Sequence, residues 1–140
     1  MCLRLAKGYA EIAEEDIVCY KLLRYDPSAS HESKYVTPFQ GYPVSTFVIE
    51  GKLDWIPTYF CGDVNTIFLT WTIDVGAVHS CKTLDEAKQL KEWFAKERQW
   101  MEIRIFKCHI PKGKRYFVGL DEWNFGGYAS ESLMFDEEIK

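Results

Sequence analysis

The sequence predicts an α+β fold, a bent and mostly antiparallel sheet with one long helix, about residues 84–98, against it. Three observations predict it. Residues 83–101 carry a helix start signal followed by apolar residues at helical spacing. Residues 67–73 and 102–110 are β-branched and aromatic runs of strand length. Pro and Gly punctuate the chain between such runs, most clearly at Pro111-Lys112-Gly113.

In chain order, residues 17–24 (I-V-C-Y-K-L-L-R) read as a first strand, which Asp26-Pro27-Ser28 ends. Proline fixes its own φ and restricts the residue before it. Residues 28–34 are polar and turn-like, and 35–42, with Pro38 and Gly41, form an irregular approach to the next strand. Residues 44–49 and 53–56 read as a β-hairpin around Glu50-Gly51-Lys52, and 57–65 as a loop. The run 67–73 (I-F-L-T-W-T-I) is the most strand-like of all, and 77–81 follow as a short strand after Asp74-Val75-Gly76.

Thr83 stands three residues before Glu86, the spacing of a capping box, with Asp85 also in the first turn where the helix dipole favours negative charge. Leu84, Ala87, Leu90, Phe94 and Met101 supply the apolar face, and the helix is expected to end between 97 and 100. Residues 102–110 are apolar on both faces, which suits a central strand. Pro111 and Gly113 suit the second and fourth positions of a turn leading into a strand at 116–118. Residues 124–128 read as a loop because of Gly126-Gly127, residues 132–135 as a last strand, and the acidic end as a solvated segment.

The chain's 140 residues fit a single domain, 1–140. At this size about two-thirds of the unfolded surface can be buried. Nine Phe, eight Tyr and five Trp argue against disorder and favour strands and flat contact surfaces. A formal charge of −4 gives no strong nucleic-acid signal, although Arg104, Lys107, Lys112, Lys114 and Arg115 form a local basic group. Five cysteines at wide spacing, without a C-x-x-C pair, fit buried free thiols in a reducing cytoplasm. No apolar run is long enough for a membrane helix and no leader is recognisable, so Met1 reads as the native start. The sequence does not define an oligomeric state.

Residues that carry chemistry are scattered. His79 and Cys81 share a strand face, and Cys108 and His109 are adjacent, hence on opposite faces, so at most one of them could join a zinc site. We assign no metal and, in the leading reading, no cofactor. Cys2 would become an N-terminal nucleophile with its own amine as base if Met1 is removed, the arrangement of an N-terminal cysteine hydrolase. Lys112, Lys114 and Arg115 follow a turn and could meet phosphate or an acidic partner. Tyr35, Phe39, Tyr42, Trp55, Tyr59, Trp123 and Tyr128 lie in or beside expected loops and are the expected contact residues of a binding surface.

The blocks M-C-L, D-I-V-C-Y-K-L-L, V-H-S-C-K-T-L-D-E-A, I-P-K-G-K-R-Y-F-V-G and Y-A-S-E-S-L-M-F cover most of the chain. In them it resembles uncharacterised small proteins of bacteriophages and gut bacteria. That resemblance implies a small cytosolic interaction or ligand-binding protein, phage-associated, acting on a host protein or a defence component. The block order is also similar to ADP-ribosyltransferase-like folds. That resemblance implies an NAD cleft in which Arg24 would meet a phosphate, His79 and Ser80 would precede the helix, and Glu131 would stabilise positive charge on the ribose. The segment S-C-K-T departs from the Ser-Thr-Ser of that pattern, and A-S-E-S-L lacks a second carboxylate before Glu131. The partner expected is thus a protein or a small nucleotide, with NAD as cofactor only under the transferase reading.

Overall fold

A computed structural model describes residues 3–5, 10–30, 34–38, 44, 48–50, 55–63, 66–73, 78–120 and 126–140, with side chains described at 10–30, 34–38, 44, 79–120 and 126–140. The fold is α+β. The strands are β1 (Leu3–Leu5), β2 (Glu11–Ile12), β3 (Ile17–Tyr25), β4 (Tyr35–Val36), β5 (Val48–Glu50), β6 (Trp55–Asp63), β7 (Thr66–Ile73), β8 (Val78–Cys81), β9 (Glu102–Ile110), β10 (Arg115–Leu120), β11 (Gly126–Ser130) and β12 (Ser132–Ile139). The helix α1 (Leu84–Glu97) lies between β8 and β9. The strands join one sheet in the order β5-β12-β9-β3-β8-β11-β10-β1-β7-β6, with β2 on β10 and β4 on β3. Every described pairing is antiparallel.

The centre of the sheet is the β3–β9 ladder, in register from Ile17↔Ile110 to Tyr25↔Glu102. Side chains alternate along a strand, so this register sorts residues onto two faces. Tyr20, Leu22 and Arg24 share one face with Ile103, Ile105, Lys107 and His109. Cys19, Lys21, Leu23 and Tyr25 share the other with Arg104, Phe106, Cys108 and Ile110. The helix covers the first face. Ala87, Leu90 and Phe94, one helical stripe, are buried against Leu22, Cys81, Ile103 and Ile105. On the second face Cys19, Cys108, Ile110, Tyr128 and Leu133 form a separate core that Ala13 joins.

The helix starts where its cap dictates. Thr83 Oγ1 accepts the Glu86 N–H at 3.2 Å, with Asp85 and Glu86 in the first turn. The Arg98 N–H closes the C-terminus on the Phe94 carbonyl at 2.8 Å. The carboxylate of Glu86 stands over Gly126 in β11, so a Cβ there would sit 3.2 Å from its oxygens. This close approach explains a glycine inside a strand.

Several expectations are corrected. Among the described residues of the expected 44–49/53–56 hairpin, 48–50 (β5) pair with β12 and not with 55–56; residues 55–63, expected mostly as loop, are β6 paired with β7. Pro57 lies within β6, and it is tolerated there because β6 ends the strand order, where one side of the backbone needs no ladder partner. Gly126-Gly127 belongs to β11 between β10 and β8, not to a loop. The turn at Pro111 is shifted by one residue: the Lys114 N–H donates to the Pro111 carbonyl at 3.1 Å, which puts Gly113 at the third position with φ +87°. Only glycine adopts that φ without strain. The acidic end is not a free tail: it is the second half of β12, held on β9 through a bulge between Phe135 and Glu137.

Candidate functional site

Arginine and aromatic side chains gather at one end of the sheet, where β3 ends and β9 begins. The local chain explains how they arrive. Asp26 Oδ1 accepts from the Ser28 N–H at 3.0 Å and hydroxyl at 2.6 Å, and the Asp26 N–H donates to the Lys34 carbonyl at 2.8 Å. This closed loop turns the chain back so that β4 lies on the end of β3, with Tyr35 opposite Tyr25.

On the face away from the helix the rings form a continuous chain. Centroids are 5.6 Å apart for Tyr25–Tyr35, 5.1 Å for Tyr35–Phe106 and 5.7 Å for Phe106–Phe135. These are tilted and edge-to-face contacts, the arrangements that ring quadrupoles favour. All four rings are half-buried. Arg104 crosses the end of the chain, with its guanidinium 4.7 Å from the Tyr25 centroid. It donates to Tyr35 Oη at 3.2 Å and to Glu102 at 2.8 Å, with Glu138 at 3.7 Å. The Glu102 hydrogen bond, foremost, pushes the Arg104 pKa further above its ordinary value.

On the helix face the pattern repeats with a different outcome. The Arg24 guanidinium lies 5.3 Å from the Trp100 centroid, and that of Arg98 5.9 Å from Trp93. The turn that closes with Met101 N–H on the Arg98 carbonyl at 2.9 Å carries Trp100 outward. Trp100 is 69% exposed, the most exposed of the large apolar side chains among the described residues. Arg24 Nε is buried without a hydrogen-bond acceptor, and no carboxylate pairs with Arg24 or Arg98 among the described residues.

Of the residues the sequence singled out, Tyr35 stands in this site and Arg24 on its helix face. His79 sits on β8 opposite Ala129, and its carbonyl accepts from Lys21 Nζ at 2.6 Å. Glu131 lies in the bend between β11 and β12, where it accepts from the Arg115 backbone at 2.9 Å and from its guanidinium at 3.2 and 3.3 Å. These bonds, the backbone one first, hold its carboxyl below the usual range. No hydrogen bond or ion pair joins Arg24 to Glu131. Tyr128, expected at a contact surface, is a core residue instead: it is 8% exposed, in edge contact with Tyr116, and burial pushes its phenol up. It is buried because 126–130 form an inner strand. The Lys112–Arg115 tip has its backbone committed: Lys112 N–H donates to Asp16 Oδ1 at 2.9 Å and Gly113 N–H to the Ala13 carbonyl at 2.8 Å. Cys2, Phe39, Tyr42 and Trp123 lie outside the described residues. Trp55, expected on a strand beside a loop, and Tyr59, expected in the 57–65 loop, are both on β6, and their side chains lie outside the description.

Other groups escaped the sequence reading. His109 Nδ1 is 2.9 Å from both oxygens of Asp136, a pair made possible by the β12 bulge. Lys21 lies on the thiol side of the sheet, and burial pulls its pKa below the ordinary value, against the thiols of Cys81, Cys108 and Cys19. Cys19 is opposite Cys108, both buried and free, and burial pushes the Cys19 thiol up to about 11 and that of Cys108 further. Such thiols are inert packing residues at neutral pH.

No family model, curated protein or solved structure matches this chain. No helix among the described residues is long and apolar enough to cross a membrane.

Proposed function

We propose that this chain is a small interaction or ligand-binding protein whose contact surface is the arginine–aromatic end of its sheet. The observation that carries this reading is the chain of four half-buried rings, Tyr25, Tyr35, Phe106 and Phe135, spanning four strands and crossed by Arg104. Rigid aromatics and arginine give the most contact free energy for the least ordering cost, which is why they dominate binding hot spots. The resemblance to small phage proteins makes a host protein or a defence component the natural partner, and a cytosolic setting goes with it.

The transferase reading has less support. It requires Glu131 to be free to face a ribose, whereas Arg115 engages both of its oxygens. The N-terminal hydrolase reading rests on Cys2 alone.

Thermal unfolding with NAD, ADP-ribose and cyclic dinucleotides tests the proposal. A ligand at a hundred times its Kd stabilises by about 2.7 kcal/mol, a readily visible shift. Binding that Tyr35→Ala weakens supports the proposal. An NAD shift removed by Glu131→Ala yet untouched by Tyr35→Ala would sink it. If no nucleotide shifts the transition, affinity capture from bacterial lysate decides: a partner retained equally by wild type and Tyr35→Ala counts against this surface.

A further inference from the structure

We infer that the helix-side half of this end, built from Arg24, Trp100, Arg98 and Trp93, docks an acidic extended segment of a partner protein. The inference rests on the binding reading above and names the chemistry of the partner. Two arginines stack on two tryptophans within one short stretch at the C-terminal end of α1. The ring contact positions each guanidinium; Arg98 Nη1 donates to the Glu97 carbonyl at 3.4 Å, and the remaining donors of the two arginines can meet carboxylates.

Charge decides the occupant. Arg24 is half-buried, its Nε is dry and without an acceptor, and no carboxylate of the described residues balances it. A partly buried cation with no counter-charge is costly, and a partner carboxylate at its outer Nη donors would offset part of that cost. Arg104, one residue from Arg24's register partner Ile103 and on the opposite face, has Glu102 and Glu138 already. The carboxylates the fold supplies to one arginine are thus withheld from the other. Trp100, with 69% of its surface in water, provides the apolar platform on which a partner side chain would rest.

A protein segment fits better than a nucleic acid. Phosphodiester chains are held by a continuous basic stripe, whereas here Glu97 interrupts Lys96 and Arg98. Discrete carboxylates spaced along a peptide can meet two separate arginine forks without lying against Glu97.

The test is fluorescence anisotropy with a fluorescein-labelled oligoglutamate peptide carrying a central leucine, beside an oligolysine peptide of equal length and a single-stranded oligouridylate. The expected result is binding of the acidic peptide alone, weakened at least tenfold by Arg24→Gln and by Trp100→Ala and unchanged by Ile12→Ala, an exposed position on β2 outside this end of the sheet. Trp100 is exposed, so its replacement leaves folding intact and keeps the test valid if Arg24→Gln misfolds. Tighter binding of the oligouridylate, or acidic-peptide binding indifferent to Trp100→Ala, overturns the inference. Absence of acidic-peptide binding while Tyr35→Ala still abolishes capture of another ligand overturns this inference alone and leaves the binding function standing.

Discussion

Arg24 and Arg104 occupy opposite faces of the same end of the sheet, and each lies over an aromatic ring. Arg104 is paired: it donates to a tyrosine hydroxyl and to Glu102, and Glu138 lies 3.7 Å away. Arg24 is not, and its ring neighbour stands in water. The first arrangement is a clamp that ties β4, β9 and β12 together. The second leaves charge and apolar area uncommitted. The same pair of residue types is therefore balanced by carboxylates on one face and not on the other, and what distinguishes them is where the carboxylates fall.

The faces differ in how they are closed, and the difference can be broken from the helix side first. Phe94 is 1% exposed and is the largest fully buried side chain among the described residues. Phe94→Ala is expected to cost about 3–5 kcal/mol. Urea denaturation showing a loss below about 1 kcal/mol would mean that α1 is not what holds that face.

A smaller effect sharpens the contrast on the thiol face. Lys21 has its folded pKa below the ordinary 10.5. Between its folded and unfolded values the unfolded chain binds the extra proton, so stability rises with pH across that window. Cys19 acts in the opposite sense: raised from 9.0 to about 11, it makes stability fall as pH climbs through that interval. Lys21→Met removes the rising limb. The variant should be at least as stable as wild type at pH 7, since a buried charge is gone, and should lose stability more steeply between pH 9 and 11. Parallel wild-type and variant profiles in urea titrations would show that Lys21 stays hydrated.

The smallest expected change is at the helix start. Thr83→Ala deletes the oxygen that accepts from Glu86 N–H and should cost about 1 kcal/mol. A loss above about 2 kcal/mol in the same urea assay would give Thr83 a role beyond capping.

The helix was legible because its signals are local: a cap, an acidic first turn and a stripe at 87, 90 and 94. So were β3, β7, β8 and β9, each a run of residues that suit a pleated surface. Of the expected 44–56 hairpin, the described residues 48–50 and 55–56 pair elsewhere, because strand pairing is non-local. Nothing in V-I-E at 48–50 announces that its partner is Ser132–Met134. Tyr128 was misplaced for a related reason: Gly126-Gly127 signals a loop locally, yet β8 and β10 draw it inside. Of the candidate site, Arg24 and Tyr35 were visible in the sequence as types with a use. Trp100 and Arg104 drew no attention as contact residues, because a helix end and a strand give no sign of which rings a guanidinium will meet.

Sequence alone determined the class, the helix and its ends, and the alternation that sorts β3 and β9 onto two faces. All of these follow from steric preference and hydrophobic period over a few residues. Tertiary structure decided which strands pair and which carboxylate reaches which arginine. Those contacts join residues as far apart as Arg24 and Trp100 or Tyr35 and Arg104, and only the closed sheet brings them within ångströms.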